Sequence, residues 1–161
     1  MNLRLHTAIC MLVIFIMSCD TKKEPVADAV KNAPADSITL TGTWRLAFSK
    51  VIKDKDTLNT YPVEGQEMIK LFNGSHFAFF KHDVTKGTGP AATYESGAGT
   101  YVLSGNNYAE HLEYCNARGW EDKHFSFTLE LHHDTLIQRG IEKIDSLKVN
   151  HEIVEAYIKV Q

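Results

Sequence analysis

The chain has 161 residues, 43% of them hydrophobic and 23% charged, with a formal charge of −3 at pH 7, which is ordinary for one globular domain. Seventeen Lys and Arg stand against twenty Asp and Glu with no basic stripe, which excludes nucleic acid as a partner class. Three cysteines exclude a disulfide scaffold, so stability has to come from a packed core.

Residues 1–18 read as a signal peptide: Arg4 in a short polar start, then an apolar run from Ala8 to Met17 that is too short for a permanent membrane span. Ile16-Met17-Ser18-Cys19 resembles the bacterial lipobox, whose last residue is acylated and becomes the new N-terminus. The resemblance implies a lipid anchor at Cys19 and a place in the cell envelope, at the outer membrane; an ordinary secretory signal cut after Ser18 is the plainer alternative. Residues 19–39 follow as a lipidated Cys and a tether rich in charge, Ala and Pro, without aromatics, spanning roughly 25 Å if flexible. Lys and acidic residues just after Cys19 also resemble the export signals of Bacteroidetes surface lipoproteins. Cys115 is then left alone, and reads as a small strand residue rather than a nucleophile.

Residues 40–161 carry the domain. The first predicted strand, Leu40 to Val51, alternates Trp44, Leu46 and Phe48 against Thr43, Arg45, Ala47 and Ser49. Met68 to Phe80 forms a hairpin about Asn73-Gly74, with Met68, Lys70, Phe72, Phe77 and Phe79 on one face and Ile69, Leu71, His76, Ala78 and Phe80 on the other. Both faces are apolar, so which one points inward stays open. Asp83 to Ser96, with Gly87, Gly89 and Pro90, lacks periodicity and is expected to be a mobile loop, a lid or an inert connection.

The most informative stretch is Tyr101 to Cys115. Gly105-Asn106 supplies two φ > 0 residues for a tight turn, which pairs Leu103 with Tyr108 and Tyr101 with Glu110, and continues the inner face through Leu112 and Tyr114. A loop with Trp120 follows, then the strand His124 to His132 with Phe125, Phe127, Leu129 and Leu131 inside. A turn at His133-Asp134 pairs Leu136 with Leu131 and Gln138 with Leu129, so Gln138 is an inward amide. In the last strand either Val154, Ala156, Ile158 and Val160 or Glu155 and Tyr157 face inward.

About eight or nine short strands without a convincing helix argue for an antiparallel sheet closed into an up-and-down barrel, which removes its edges. The Gly42-Thr43-Trp44 opening, the Gly99 to His111 hairpin and the Val154 to Val160 ending resemble the small lipocalin-like lipoproteins of Bacteroidetes, a family of unknown function. The resemblance implies a barrel end plugged by Gly42 and Trp44, without the long helix that follows true lipocalin barrels. In those barrels an Arg packs over the Trp; here Lys159 or Arg139 stands in for it.

No nucleophile elbow, phosphate loop or dinucleotide fingerprint occurs, and His76, His82, His111, His124, His132, His133 and His151 fall at no metal-site spacing. No catalytic residue, metal ligand or cofactor is therefore assigned. Glu110 among apolar neighbours needs a partner or a proton, and Tyr101 and Tyr108 offer hydroxyls. A satisfied Glu-Tyr pair and a ligand anchor both account for it. The expected function is non-catalytic binding of an unidentified small, partly apolar molecule by Tyr101, Tyr108, Glu110, Tyr114, Gln138, Glu155 and Tyr157. The alternatives are a structural or protein-binding lipoprotein with a filled barrel, and an envelope enzyme using Glu110 and a Tyr; no protein partner is indicated.

Overall fold

A computed structural model describes residues 38–161. The expected signal peptide, the Cys19 lipid site and all but the end of the tether lie outside the described residues. Nine antiparallel strands follow in order: β1 (Gly42–Lys53), β2 (Asp56–Tyr61), β3 (Gln66–Phe72), β4 (His76–Asp83), β5 (Tyr94–Ser104), β6 (Asn107–Cys115), β7 (Lys123–His132), β8 (Thr135–Ile144) and β9 (Val149–Lys159). Each strand from β3 to β9 pairs with the next, and β9 returns to β1, so eight strands close a barrel with no free edge. The ninth, β2, lies along Ser49–Lys53 of β1 while β3 takes Gly42–Arg45 of the same edge, so β2 and β3 act as one interrupted strand.

The turns at Asn73-Gly74, Gly105-Asn106 and His133-Asp134 share one end of the barrel with Leu40 and Gly42; the connections 54–55, 84–93, 116–122 and 145–148 share the other. The first end is closed. Trp44, 1% exposed, fills it and donates its indole N–H to the Leu40 carbonyl at 2.7 Å. Lys159 takes the place over its ring, Nζ 5.0 Å from the centroid, while Arg139 pairs with Glu152 on the outside. Gly42, at φ +127°, leaves room for that lysine: a Cβ there would sit 3.3 Å from Lys159 Cε. Phe72, Tyr108, Phe127, Leu129, Leu136 and Tyr157 pack around the plug.

The pairings of Tyr101 with Glu110 and Leu103 with Tyr108 are as the turn dictates, but only Gly105 of the turn pair has positive φ (61°), the arrangement with Gly first and Asn106 on the ordinary side. Besides the irregularity where β2 meets β1, two bulges in the barrel ladders correct the alternation. Leu46 and Phe48 of β1 oppose the consecutive residues Tyr157 and Ala156 of β9, so Ala47 is extra: Phe48 turns outward and Ser49, 7% exposed, turns in. Likewise Gly99 and Ala98 oppose Leu112 and Tyr114, so Glu113 is extra, Tyr114 points outward at 66% exposure and Cys115 turns in. The expectation that Tyr114 lines the interior is thereby overturned.

The 84–93 connection also differs from the unstructured loop expected. The Asp83 carboxylate accepts hydrogen bonds from the Thr85 and Gly87 backbone N–H groups (3.0 and 2.8 Å), the Thr85 hydroxyl (2.8 Å) and the Thr93 backbone N–H (3.0 Å), folding the segment around one side chain. Those donors, Gly87 foremost, hold its carboxyl well below the usual carboxylate range.

Candidate functional site

Above the aromatic plug the interior stays open as a cavity of about 360 Å³ that reaches the second end of the barrel. Leu46, Met68, Phe79, Leu112, Phe125 and Ile153 form its apolar walls, with Trp120, Glu142, Glu95 and Lys81 toward the mouth. A second set of polar groups gathers near the floor, on four strands: Lys70 of β3, Glu110 of β6, Gln138 of β8 and Glu155 of β9.

Lys70 organises this floor. The Lys-bearing face of the β3–β4 hairpin is the inner one, and Lys70 is 4% exposed. Its Nζ donates to Glu110 Oε2 at 3.0 Å and to Gln138 Oε1 at 3.1 Å, and lies 5.0 to 5.5 Å from the ring centroids of Phe77, Tyr108 and Phe72. An ammonium carries three protons, so one remains to be directed elsewhere. Glu110 Oε2 also accepts the Tyr108 hydroxyl at 2.7 Å. The carboxylate thus has a cation, and burial beside it drives the Tyr108 phenol far above its usual range.

The parity of β9 resolves in favour of Glu155 and Tyr157. Glu155 faces Gln138 across the β8–β9 ladder and accepts the Tyr157 hydroxyl at 2.7 Å. Its remaining exposure is to the cavity rather than to the outer surface, and desolvation raises its pKa. Nearer the mouth, Glu142 faces His151, with Nε2 and Oε2 3.0 Å apart. Burial, and then the charges of Glu155 and Glu110, push the Glu142 carboxyl up to about 8, which favours its protonated form at neutral pH. Burial pushes the His151 imidazole below its ordinary value.

The structure therefore brings Glu110, Gln138, Glu155 and Tyr157 to the cavity. Tyr108 lies beneath it, 1% exposed, as support for Glu110. Tyr101, though opposite Glu110 in register, packs edge-on against Phe72 at 5.4 Å and turns its hydroxyl toward the Gly74 backbone at the closed end. Lys70, Glu142 and Trp120 were not singled out by sequence. The signal for Lys70 was a cation on a strand face otherwise made of Met and Phe, complementary to the one carboxylate on an equally apolar face. Cys115 is a buried free thiol on the cavity wall, pushed up by desolvation, which makes it a poor nucleophile.

No family model matches the chain, and no curated protein matches it. Two solved structures do: a lipocalin-like protein from Bacteroides uniformis, 16% identical, with 75% of this chain and 98% of that one covered at a TM-score of 0.46, and an uncharacterised protein from Bacteroides eggerthii, 14% identical, with 76% and 100% covered at a TM-score of 0.45. By its own strand ladder, closed over eight strands and plugged by Trp44, the described domain is a lipocalin-like β-barrel.

Proposed function

We propose that the protein is a lipid-anchored protein of the cell envelope, at the outer membrane, whose barrel binds a small, partly apolar molecule without transforming it. The observation that carries this reading is the open cavity over a polar floor. Its volume of about 360 Å³ falls within the range of small-molecule sites, and its walls are apolar around a few convergent polar groups. A barrel with a purely structural role gains nothing from leaving that space unfilled, since close packing is the default of protein interiors. Lys70 and the Gln138 amide offer N–H donors and the Glu110 and Glu155 carboxylates offer acceptors. A hydroxyl- or amide-bearing head on an apolar body matches that set. The anchor rests on the lipobox-like Ile16 to Cys19 segment.

Mass spectrometry of the protein purified without denaturant from its native host is expected to find a co-purifying small molecule, absent from an Ile153→Trp variant whose added ring fills the cavity. A barrel that emerges empty and binds nothing from panels of fatty acids, sterols and aromatic amides overturns the reading. The anchor is tested separately: Cys19→Ala is expected to leave the membrane fraction, and unchanged partitioning overturns that part alone.

A second reading, acid–base catalysis, is favoured by one observation: Glu142, whose carboxyl burial pushes up to about 8, shares the cavity with Glu110 and Glu155. Turnover of any glycoside or ester panel that is abolished in Glu142→Gln supports it, and inertness of the native protein on those panels removes it.

A further inference from the structure

Read along the chain, no two histidines fall at a metal-site spacing, but the β6–β7 ladder does what spacing conceals. His111 and His124 are direct cross-strand partners on the outer wall, with rings stacked at 4.1 Å between centroids and 13° between planes. Asp122, the last residue of the β6–β7 connection, takes a left-handed conformation (φ 59°) and donates its backbone N–H to the Leu112 carbonyl at 2.7 Å, which brings its carboxylate back over β6. There Asp122 Oδ1 sits 2.8 Å from His111 Nε2. One ligand atom from each of the three residues lies within 4.8 Å of the others.

We infer that His111, His124 and Asp122 form a binding site for a divalent transition-metal ion of the zinc class. Two imidazoles and one carboxylate are the ligand types zinc takes, and a tetrahedral ion with bonds of about 2.0–2.2 Å holds its ligand atoms ~3.3 Å apart. The present spacing, from 2.8 Å for the His111–Asp122 pair to no more than 4.8 Å among the three, brackets that value, and His124 and Asp122 are exposed. His111, the most enclosed of the three, is already oriented. Its Nε2 faces Asp122, while Nδ1 lies 3.7 Å from Glu113 Oε1, which accepts the Thr100 hydroxyl at 2.8 Å. At 3.7 Å the Glu113 contact is longer than a hydrogen bond; an approach of under about 1 Å would let Glu113 accept from the non-ligating nitrogen, the usual device that fixes tautomer and ring angle at a metal. Three protein ligands leave a fourth position open to solvent.

The other histidine–carboxylate contacts, His82 with Glu67, His132 with Glu130 and His151 with Glu142, each supply one imidazole and one acid. Among the described residues, two imidazoles and a carboxylate converge only here. The site joins β6, β7 and the end of the segment that carries Trp120, which packs 5.9 Å from Phe125 at the cavity mouth. An ion held there fixes the exit of that segment, and with it the position of the indole.

The test is zinc titration of the chelator-treated full chain against a chromophoric competitor, with indole fluorescence followed in parallel. The parent is expected to bind one zinc ion, and His124→Ala and Asp122→Asn, both surface substitutions, are expected to weaken binding at least about tenfold, the scale set by losing one ligand or its support. His132→Ala is expected to bind as the parent does. The fluorescence response is expected to vanish in Trp120→Phe. Parent and variants binding zinc equally, or no binding by the parent, overturns the site and leaves the His111–Asp122 hydrogen bond as a turn clamp. Binding that leaves Trp120 silent overturns the coupling to the mouth.

Discussion

Lys70 and Glu110 settle the interior of this barrel between them. Burying either alone costs several kcal/mol, and each is tolerated because the other lies 3.0 Å away with Tyr108 and Gln138 completing the network. Lys70 also offsets the acids above it, since its charge counters the upward shifts of Glu155 and Glu142. Lys70→Met is therefore expected to destabilise the fold by about 3–5 kcal/mol near pH 7. Glu110→Gln should cost less, and the double variant less than the sum, with a coupling of at least about 1 kcal/mol by denaturant unfolding. Additive losses would remove the pair from the account. Tyr108→Phe removes one of the two hydrogen bonds to Glu110 Oε2, which keeps Lys70, and is expected to cost about 1–3 kcal/mol as a lost bond to a charged group, whereas Tyr101→Phe, whose hydroxyl does not reach Glu110, should cost far less.

At the scale of elements, the two bulges decide where sequence reading succeeds. Gly99 lies opposite the one in β6, and its φ is unremarkable; its constraint is spatial, because a Cβ there would overlap the His111 carbonyl oxygen. Gly99→Ala is expected to cost at least about 2 kcal/mol, since the β5–β6 ladder must part to admit it. Gly105→Ala meets open space and loses only the left-handed preference at φ 61°, about 1 kcal/mol. Thermal unfolding that ranks Gly105→Ala as the worse of the two would contradict this account. The turn at Gly105-Asn106 made the β5–β6 pairing legible, as His133-Asp134 did for β7–β8, because turn chemistry fixes register locally. Tyr114 and Phe48 were misplaced because an extra residue in a strand leaves no mark in an alternation of apolar side chains, and its cause, the room beside Gly99 or the path of β9, lies on another strand. The inner face of β3 and the parity of β9 were illegible for a related reason: both faces of each strand are apolar enough to be buried, and only the partner across the barrel chooses. His111 and His124 met unforeseen because their contact belongs to the ladder, not to a spacing.

On the scale of the whole molecule, the interior is graded from an aromatic plug through a charged floor to an acidic mouth, and the mouth couples fold to pH. Glu142 of β8 is faced by His151 of β9 and feels the charges of Glu155 of β9, Glu110 of β6 and Lys70 of β3; Lys53 of β1 acts on His151. With its carboxyl raised from 4.5 to about 8, the unfolded chain gives up this proton first, so the stability it contributes is full below pH 4.5 and is lost as pH rises through about 8. Glu155 is shifted in the same direction. His151 works oppositely: its imidazole is depressed from 6.5, so its contribution is present above that pH and is lost as pH falls. The two oppose each other below 6.5, and above it only the carboxyls remain. Urea unfolding is therefore expected to show stability falling by about 1–2 kcal/mol between pH 6.5 and 8.5, at about 1.4 kcal/mol per pKa unit reduced by the solvent that reaches the mouth. Glu142→Gln should flatten most of that slope while leaving stability at pH 5 nearly unchanged. A parent profile that is level across this interval, or a variant with the same slope, would mean that Glu142 is ionised in the folded barrel and that His151 carries the proton between them.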